Sequence, residues 1–157
     1  PRCSMVIRRW SRGSTAGAVV MMILFFHAAR LALVTFDPYL GSRPLAEALN
    51  QAPHGKLILD DQYYTFSSIF FYANAYHGER ALLLNGRVNN LEYGSNAPDA
   101  PADVFIDDNQ FRERWLSLER YYVCADKSQV GRFEKLVGRD HLHTLVESGG
   151  KYVFANQ

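Results

Sequence analysis

Residues Ala16–Phe36 read AGAVVMMILFFHAARLALVTF. As a helix this stretch spans about 31 Å, the thickness of a bilayer's hydrocarbon core. The uninterrupted apolar run ends at Phe26, and His27 and Arg30 interrupt the remainder of the stretch. An arginine at mid-membrane costs about 2.5–3.5 kcal/mol. Arg30 lies in the last third of the stretch, from where its guanidinium can snorkel to the nearer interface. The stretch therefore reads as a transmembrane helix, dividing the chain into a basic flank (1–15), a span (16–36) and a domain (37–157). A cleaved signal would need a small-x-small site after the apolar run, yet Ala16-Gly17-Ala18 lies at the start of it. Ser11 and Arg12 follow Arg8-Arg9 where a twin-arginine signal needs apolar residues. A helix buried in a soluble domain is the alternative that the interruptions leave open.

The flanks orient the span. Arg2, Arg8, Arg9 and Arg12 precede it, whereas Asp37 follows it and Arg43 is the first cation beyond. The positive-inside rule puts the N-terminus in the cytoplasm and residues 37–157 outside, which in a bacterium means an inner-membrane protein with a periplasmic domain. The chain carries 17 basic and 16 acidic residues, and a net charge of +1 excludes nucleic-acid binding through a broad basic face. At 48% hydrophobic residues it is too apolar for a disordered chain. Cys3 and Cys124 form neither a CxxC nor a disulfide framework, and Cys124 reads as a small buried side chain. The chain opens Pro-Arg-Cys-Ser and its first methionine is Met5, which suits a piece of something longer as well as a start at Met5.

Beyond the span the hydrophobic period alternates. Ser42 reads as the N-cap of a helix with Pro44 in its first turn, and Lys56–Asp60 (KLILD) is a short apolar strand. Tyr64–Ala75 reads as one apolar helix, its aromatics Tyr64, Phe66, Phe70, Phe71 and Tyr72 packed on a sheet or a neighbour. Ala81–Asn85, Asp103–Asp107 and Arg120–Ala125 read as further strands, with helices over Asp108–Leu116 and Ser128–Val137. His141–Glu147 and Lys151–Asn156 form a hairpin about Ser148-Gly149-Gly150. Strands alternating with helices predict an α/β domain of three layers, with a mostly parallel sheet and a C-terminal antiparallel hairpin.

No GxGxxG follows the first strand and no phosphate-binding GxxxxGK[ST] occurs. His141 and His143 alternate on a strand but lack a third ligand nearby, so no metal site is read. Asp60-Asp61 and Asp107-Asp108 fall at the carboxyl ends of parallel strands, where α/β sheets place their sites. They suit either acid–base or cation chemistry, or the capping of the helices that come next. The densest polar segment runs from Asn85 to Asn96, at the same edge. Its Asn85, Arg87, Asn89, Asn90, Glu92 and Tyr93 supply amides, a guanidinium, a carboxylate and an aromatic, the chemistry that recognises sugars and phosphates. A loop this polar can equally bond its own turns.

Four stretches occur in one order: Ser42-Arg43-Pro44-Leu45-Ala46; Asn85-Gly86-Arg87 with Asn90-Leu91-Glu92-Tyr93-Gly94-Ser95; Pro98-Asp99-Ala100-Pro101 leading to Phe105-Ile106-Asp107-Asp108 and Phe111; and Glu147-Ser148-Gly149-Gly150-Lys151. Together they resemble the C-terminal end of bacterial inner-membrane glycosyltransferases of the aminoarabinose transferase and dolichyl-phosphate-mannose mannosyltransferase type. The resemblance covers nearly all of residues 37–157. It implies a multi-spanning parent that takes a sugar from a polyprenyl-phosphate carrier and passes it to lipid A or a protein hydroxyl. It also implies a catalytic acid in the first extracytoplasmic loop, outside this sequence, so no catalytic residue and no cofactor is assigned within this chain. The implied partners are membrane lipid, the polyprenyl-phosphate sugar donor and a lipid or protein acceptor. A competing expectation is a single-pass protein whose α/β domain is a binding or assembly module. His27 and Arg30 favour the multi-span parent, because ionisable groups find partners inside a helix bundle and not on a lone lipid-facing helix.

Overall fold

The computed structural model describes residues 2–101 and 103–157, with side chains from Gly13 onward. Pro1, Cys3 and the arginines of the basic flank, on which the orientation argument rests, lie outside the residues so described. The chain divides into two compact units, Pro1–Asp37 and Pro38–Gln157.

The first unit consists of most of α1 (Arg2–Leu40). Its segment Gly13–Leu40 has a mean hydropathy of 2.1 and is long and apolar enough to cross a membrane, by length and composition. None of its most apolar window is buried. Met21, Leu24, Phe25, Leu33 and Val34 are all exposed. Thr35 returns its hydroxyl to Leu31 O at 2.8 Å, which satisfies a polar side chain within the helix itself.

The second unit is an α/β domain around one six-stranded sheet of order β3-β2-β1-β4-β6-β5. The strands are β1 (Lys56–Asp60), β2 (Leu82–Leu84), β3 (Phe105–Ile106), β4 (Tyr121–Asp126), β5 (His143–Ser148) and β6 (Lys151–Ala155). The first four run parallel, in registers such as Ile58↔Leu82, Leu59↔Cys124 and Leu84↔Ile106. β6 pairs antiparallel with β4 and β5 with β6, so the hairpin enters the sheet through its second strand. Gly149 and Gly150 turn that hairpin at φ 57° and 76°, a region that side-chain-bearing residues rarely adopt.

Layering explains why the strands read as unbroken apolar runs. Leu57, Leu59, Tyr122, Cys124, Val153 and Ala155 pack with α2 (Arg43–Gln51) and α3 (Ser68–Tyr72), through Leu45, Leu49 and Ile69, and with Phe66 of the turn before α3. Their alternate neighbours Ile58, Leu84, Val123, Ala125 and Phe154 pack on the other face. There they meet α4 (Asp108–Trp115) and α5 (Val130–Val137), through Phe111, Trp115 and Phe133. The three layers and the mostly parallel sheet match the sequence expectation.

Four local expectations are corrected. Residues 64–75 are not one helix: 3-10 turns at Tyr63–Phe66 and Asn74–Tyr76 flank the five-residue α3. Ser67 Oγ bonds back to Tyr64 O at 2.9 Å, and Ser68 Oγ accepts from Ser42 N at 2.8 Å, so this aromatic run is drawn into local and tertiary bonds at the expense of helical continuity. Of its aromatics Phe66 is buried and Phe70 packs against the core, whereas Tyr64, Tyr72 and the 74%-exposed Phe71 are open. Ser42 stands at the N-cap position of α2 but makes no side-chain cap. Its buried hydroxyl donates to Thr65 O at 3.2 Å and lies 3.5 Å from Lys151 Nζ. The third strand is confined to Phe105–Ile106. Finally, His141 closes a 3-10 turn (Arg139–His141) before β5, because Trp115 Nε1 holds its carbonyl at 2.8 Å. His141 and His143 therefore do not share a strand.

Candidate functional site at the carboxyl edge of the sheet

Parallel strands end at a common edge, and here that edge gathers the polar residues. β1 ends in Asp60 with Asp61 next, Asn85 follows β2, Asp107 follows β3, and β4 ends in Asp126. Asp61 and Asn85 take φ of 56° and 52°, a left-handed turn out of the strand that Asp and Asn tolerate better than most residues. The turn after β2 needs Gly86 as well, since a Cβ there would lie 2.7 Å from that of Leu83.

Asn85, Gly86 and Arg87 line a cavity of about 440 Å³ with Phe105, Ile106, Asp107 and Gln110. The Arg87 guanidinium lies 4.6 Å from the centroid of the Phe105 ring and donates to Ser95 O, with Asn96 Oδ1 at 3.4 Å. Asn85 Nδ2 donates to Asp108 Oδ1 at 2.9 Å. Asn96 Nδ2 and Ser95 Oγ bond to Glu92 O at 2.6 and 3.3 Å. Much of the segment's bonding capacity is thus spent within it, as the self-bonded alternative expects. Asn89, Asn90, Glu92 and Tyr93 are exposed and do not line the cavity, and Tyr93 is 86% exposed. Asn89 Nδ2 reaches Tyr64 OH at 3.5 Å. Of the six residues singled out by sequence, two therefore share a cavity and four stand beside it on an open surface.

The acidic pairs separate into two roles. Asp107 caps α4: its carboxylate accepts from Gln110 N at 2.8 Å, while Gln110 Oε1 accepts from Asp107 N at 3.1 Å. That is a capping box, and it accounts for this aspartate by the capping alternative. Asp60 is different. Its side chain is 1% exposed and forms an ion pair with Arg132 on α5. Burial is the main influence and raises the carboxyl to about 6, against the lowering effect of the adjacent guanidinium; Asp61 and Asp108 add to the rise. Asp60 Oδ2 and Arg132 Nε are buried without hydrogen-bond partners. Sequence reading found Asp60 from its place at a strand end, but nothing in spacing joins it to Arg132, 72 residues later.

Among the described residues no three His, Cys, Asp or Glu side chains gather to hold a metal ion. Cys124 is fully buried and burial raises its thiol pKa, so it is inert packing, as its sequence context suggested.

No protein-family model matches this chain, and no curated protein matches it. Among solved structures it is similar to two of ArnT from Cupriavidus metallidurans, one bound to undecaprenyl phosphate and one in the apo state. The TM-score is 0.56 at 14% identity in both, over 74% and 77% of this chain respectively. In each case the match covers 20% of the ArnT chain, so the present chain spans about a fifth of that length. At this identity the likeness is one of fold, and the chain shares the fold of a part of ArnT.

Proposed function

We propose that this chain is a membrane span and extracytoplasmic α/β domain of a glycosyltransferase that uses a polyprenyl-phosphate sugar as donor, with the catalytic loop on other parts of the protein. The observation that carries this reading is the fold shared with ArnT, an aminoarabinose transferase whose crystal structure holds undecaprenyl phosphate. The apolar helix Gly13–Leu40 supports it, as a span of that length suits a membrane enzyme. On this reading residues 1–15 are cytoplasmic, 16–36 cross the inner membrane and 37–157 lie in the periplasm.

In such a transfer a carboxylate takes the proton of the acceptor hydroxyl, the oxygen attacks the anomeric carbon, and the polyprenyl phosphate leaves. The residues of this chain contribute binding and position. Asn90, Glu92 and Tyr93 present an amide, a carboxylate and an aromatic face on an open surface, suited to a sugar or a lipid-linked acceptor. Arg87 and Asn85 hold the loop and its cavity in shape.

The test is to follow the reading frame upstream of the Pro1 codon, express the full protein and assay sugar transfer from a polyprenyl-phosphate donor. Glu92→Ala and Tyr93→Ala are each expected to lower kcat/KM by about tenfold with the fold intact. A frame that closes just ahead of Met5 overturns the proposal in favour of a single-pass binding module. Unchanged transfer by both variants removes the loop from it.

A further inference from the structure

From Gln62 to Tyr76 the chain reads QYYTFSSIFFYANAY, a run without a single charge and rich in aromatic residues. The core takes part of this set. Phe66, Ile69, Ala73 and Tyr76 are buried, and Phe70 packs against the same cluster. Phe71 and Tyr72 are left outside it, exposed, with their rings edge to face at 4.9 Å. One exposed apolar side chain on a protein surface is ordinary. An uncharged aromatic pair held outward at the end of a short helix is a surface suited to something less polar than water.

The bonds of α3 tie this pair to the start of the domain. Ser68 Oγ accepts from Ser42 N at 2.8 Å, and Asn50 Nδ2 donates to Tyr72 O at 2.9 Å. The Arg43 guanidinium lies 5.5 Å from the centroid of the Tyr72 ring. Ser42 stands just beyond Leu40, the last residue of the apolar helix Gly13–Leu40. The path from Leu40 through the Ser42–Ser68 bond limits the Cα separation of Leu40 and Phe71 to about 16 Å. As a helix, Gly13–Leu40 measures about 42 Å, the thickness of a bilayer together with its headgroup layers. If it spans, Leu40 reaches the headgroup level, and the pair is tethered close to that level. Tyr39 and Leu40 are exposed as well and extend the same apolar surface. Aromatic rings beside an arginine are the chemistry of this layer: the rings bury, while the guanidinium stays with water and lipid phosphate. Position and composition together select a lipid surface over a protein partner. We propose that Phe71 and Tyr72 enter the lipid interface and, with Arg43, hold the domain against the bilayer. This rests on the reading of Gly13–Leu40 as a span.

The experiment uses the full chain in a Cys3→Ser background, where the remaining Cys124 is buried and takes no label. A nitroxide is attached in turn at Phe71→Cys, Leu118→Cys and Phe25→Cys, all exposed positions whose replacement leaves the core intact. The labelled proteins are placed in nanodiscs of phosphatidylethanolamine and phosphatidylglycerol, open to solution on both sides. Relaxation of the label by oxygen, which concentrates in lipid, is compared with relaxation by a nickel chelate, which stays in water. Position 25 supplies the lipid reference and position 118 the water reference. The expected result is a reversal between 118 and 71: nickel access exceeds oxygen access at 118, and oxygen access exceeds nickel access at 71, as at 25. The lipid pattern at 25 with the water pattern at 71 overturns the proposal and leaves the span standing. Low access of both agents at 71 means that a second copy of the chain covers the pair, and overturns it equally. The water pattern at 25 overturns the span, and the proposal with it.

Discussion

Replacing Arg132 with methionine removes the counter-charge of Asp60 while keeping an apolar stem, and the cost of doing so depends on pH. Asp60 is buried, and its carboxyl is raised from 3.8 to about 6 despite the guanidinium beside it. A carboxyl whose folded pKa exceeds its unfolded one contributes stability that is fully present below the unfolded value and lost as pH rises through the folded one. The rise from 3.8 to about 6 is equivalent to about 3 kcal/mol between those limits. The influences that lower this carboxyl, charge and hydrogen bond alike, come from Arg132. Without them the folded pKa moves above 6, and the loss of stability continues to higher pH. At about pH 4.5 Asp60 is largely protonated in both folded proteins, and the difference between them shrinks to the packing of the stem.

At about pH 8 the variant must either bury a bare carboxylate or hold a proton against the solution. Breaking a fully buried pair costs about 3–5 kcal/mol, and the 30% exposure of the Arg132 side chain lowers the expectation here to about 2–3 kcal/mol. Unfolding of the full chain in micelles, followed by near-ultraviolet circular dichroism, reads both values. The destabilisation by Arg132→Met is expected to be larger at the higher pH by about 2 kcal/mol. Equal losses at the two pH values, or a larger loss in acid, would refute the reasoning.

Three further outcomes rest on the packing. Trp115 is buried between α4 and the sheet, with its indole N–H bonded to His141 O at 2.8 Å; Trp115→Ala should cost about 3–5 kcal/mol in the same unfolding assay, and Trp115→Phe only about 1–2 kcal/mol, since it loses chiefly the donor. Asp107→Ala opens the capping box of α4, with an expected loss of about 1 kcal/mol and faster hydrogen exchange at the Gln110 amide. In a Cys3→Ser background, Cys124 should resist a maleimide in the native state and react fully once unfolded, since it is inaccessible and burial raises its thiol pKa.

Periodicity carried the part of the fold that sequence made legible. Strands apolar on both faces, separated by helices, announced a sheet covered on both sides, and Gly149-Gly150 announced the closing hairpin. Breaks at the level of single hydrogen bonds were not legible. Tyr64–Ala75 has an apolar pattern that suits a helix, yet the side chains of Ser67 and Ser68 are committed elsewhere, one to Tyr64 O and the other to Ser42 N. The candidate site shows the same division. Its place at the carboxyl edge followed from strand order along the chain, whereas capping by Asp107 or Asp108 was one of two readings, and the capping box settles it on Asp107. The pairing of Asp60 with Arg132 depends on α5 crossing behind β1 and β4, a tertiary arrangement that no local pattern carries.

The same edge also holds the start of the domain. Lys151, at the head of β6 opposite Asp126, is 5% exposed and donates to Gly41 O at 3.0 Å, with Ser42 Oγ at 3.5 Å. Ser42 in turn donates its amide to Ser68 Oγ and its hydroxyl to Thr65 O, in the segment that comes after β1. Burial lowers the pKa of the Lys151 ammonium, and a buried cation with one strong acceptor is tolerated only because the carbonyl is fixed. Lys151→Met therefore leaves Gly41 O and the buried Ser42 hydroxyl short of a donor, an expected loss of about 1–3 kcal/mol. The structure further expects the loss to be local: hydrogen exchange should quicken at the Ser42 amide and through Thr65–Ser68, while β4 and α4 stay protected. Uniform loss of protection across the sheet would instead make Lys151 a general support of the fold, with no special tie between the start of the domain and the segment after β1.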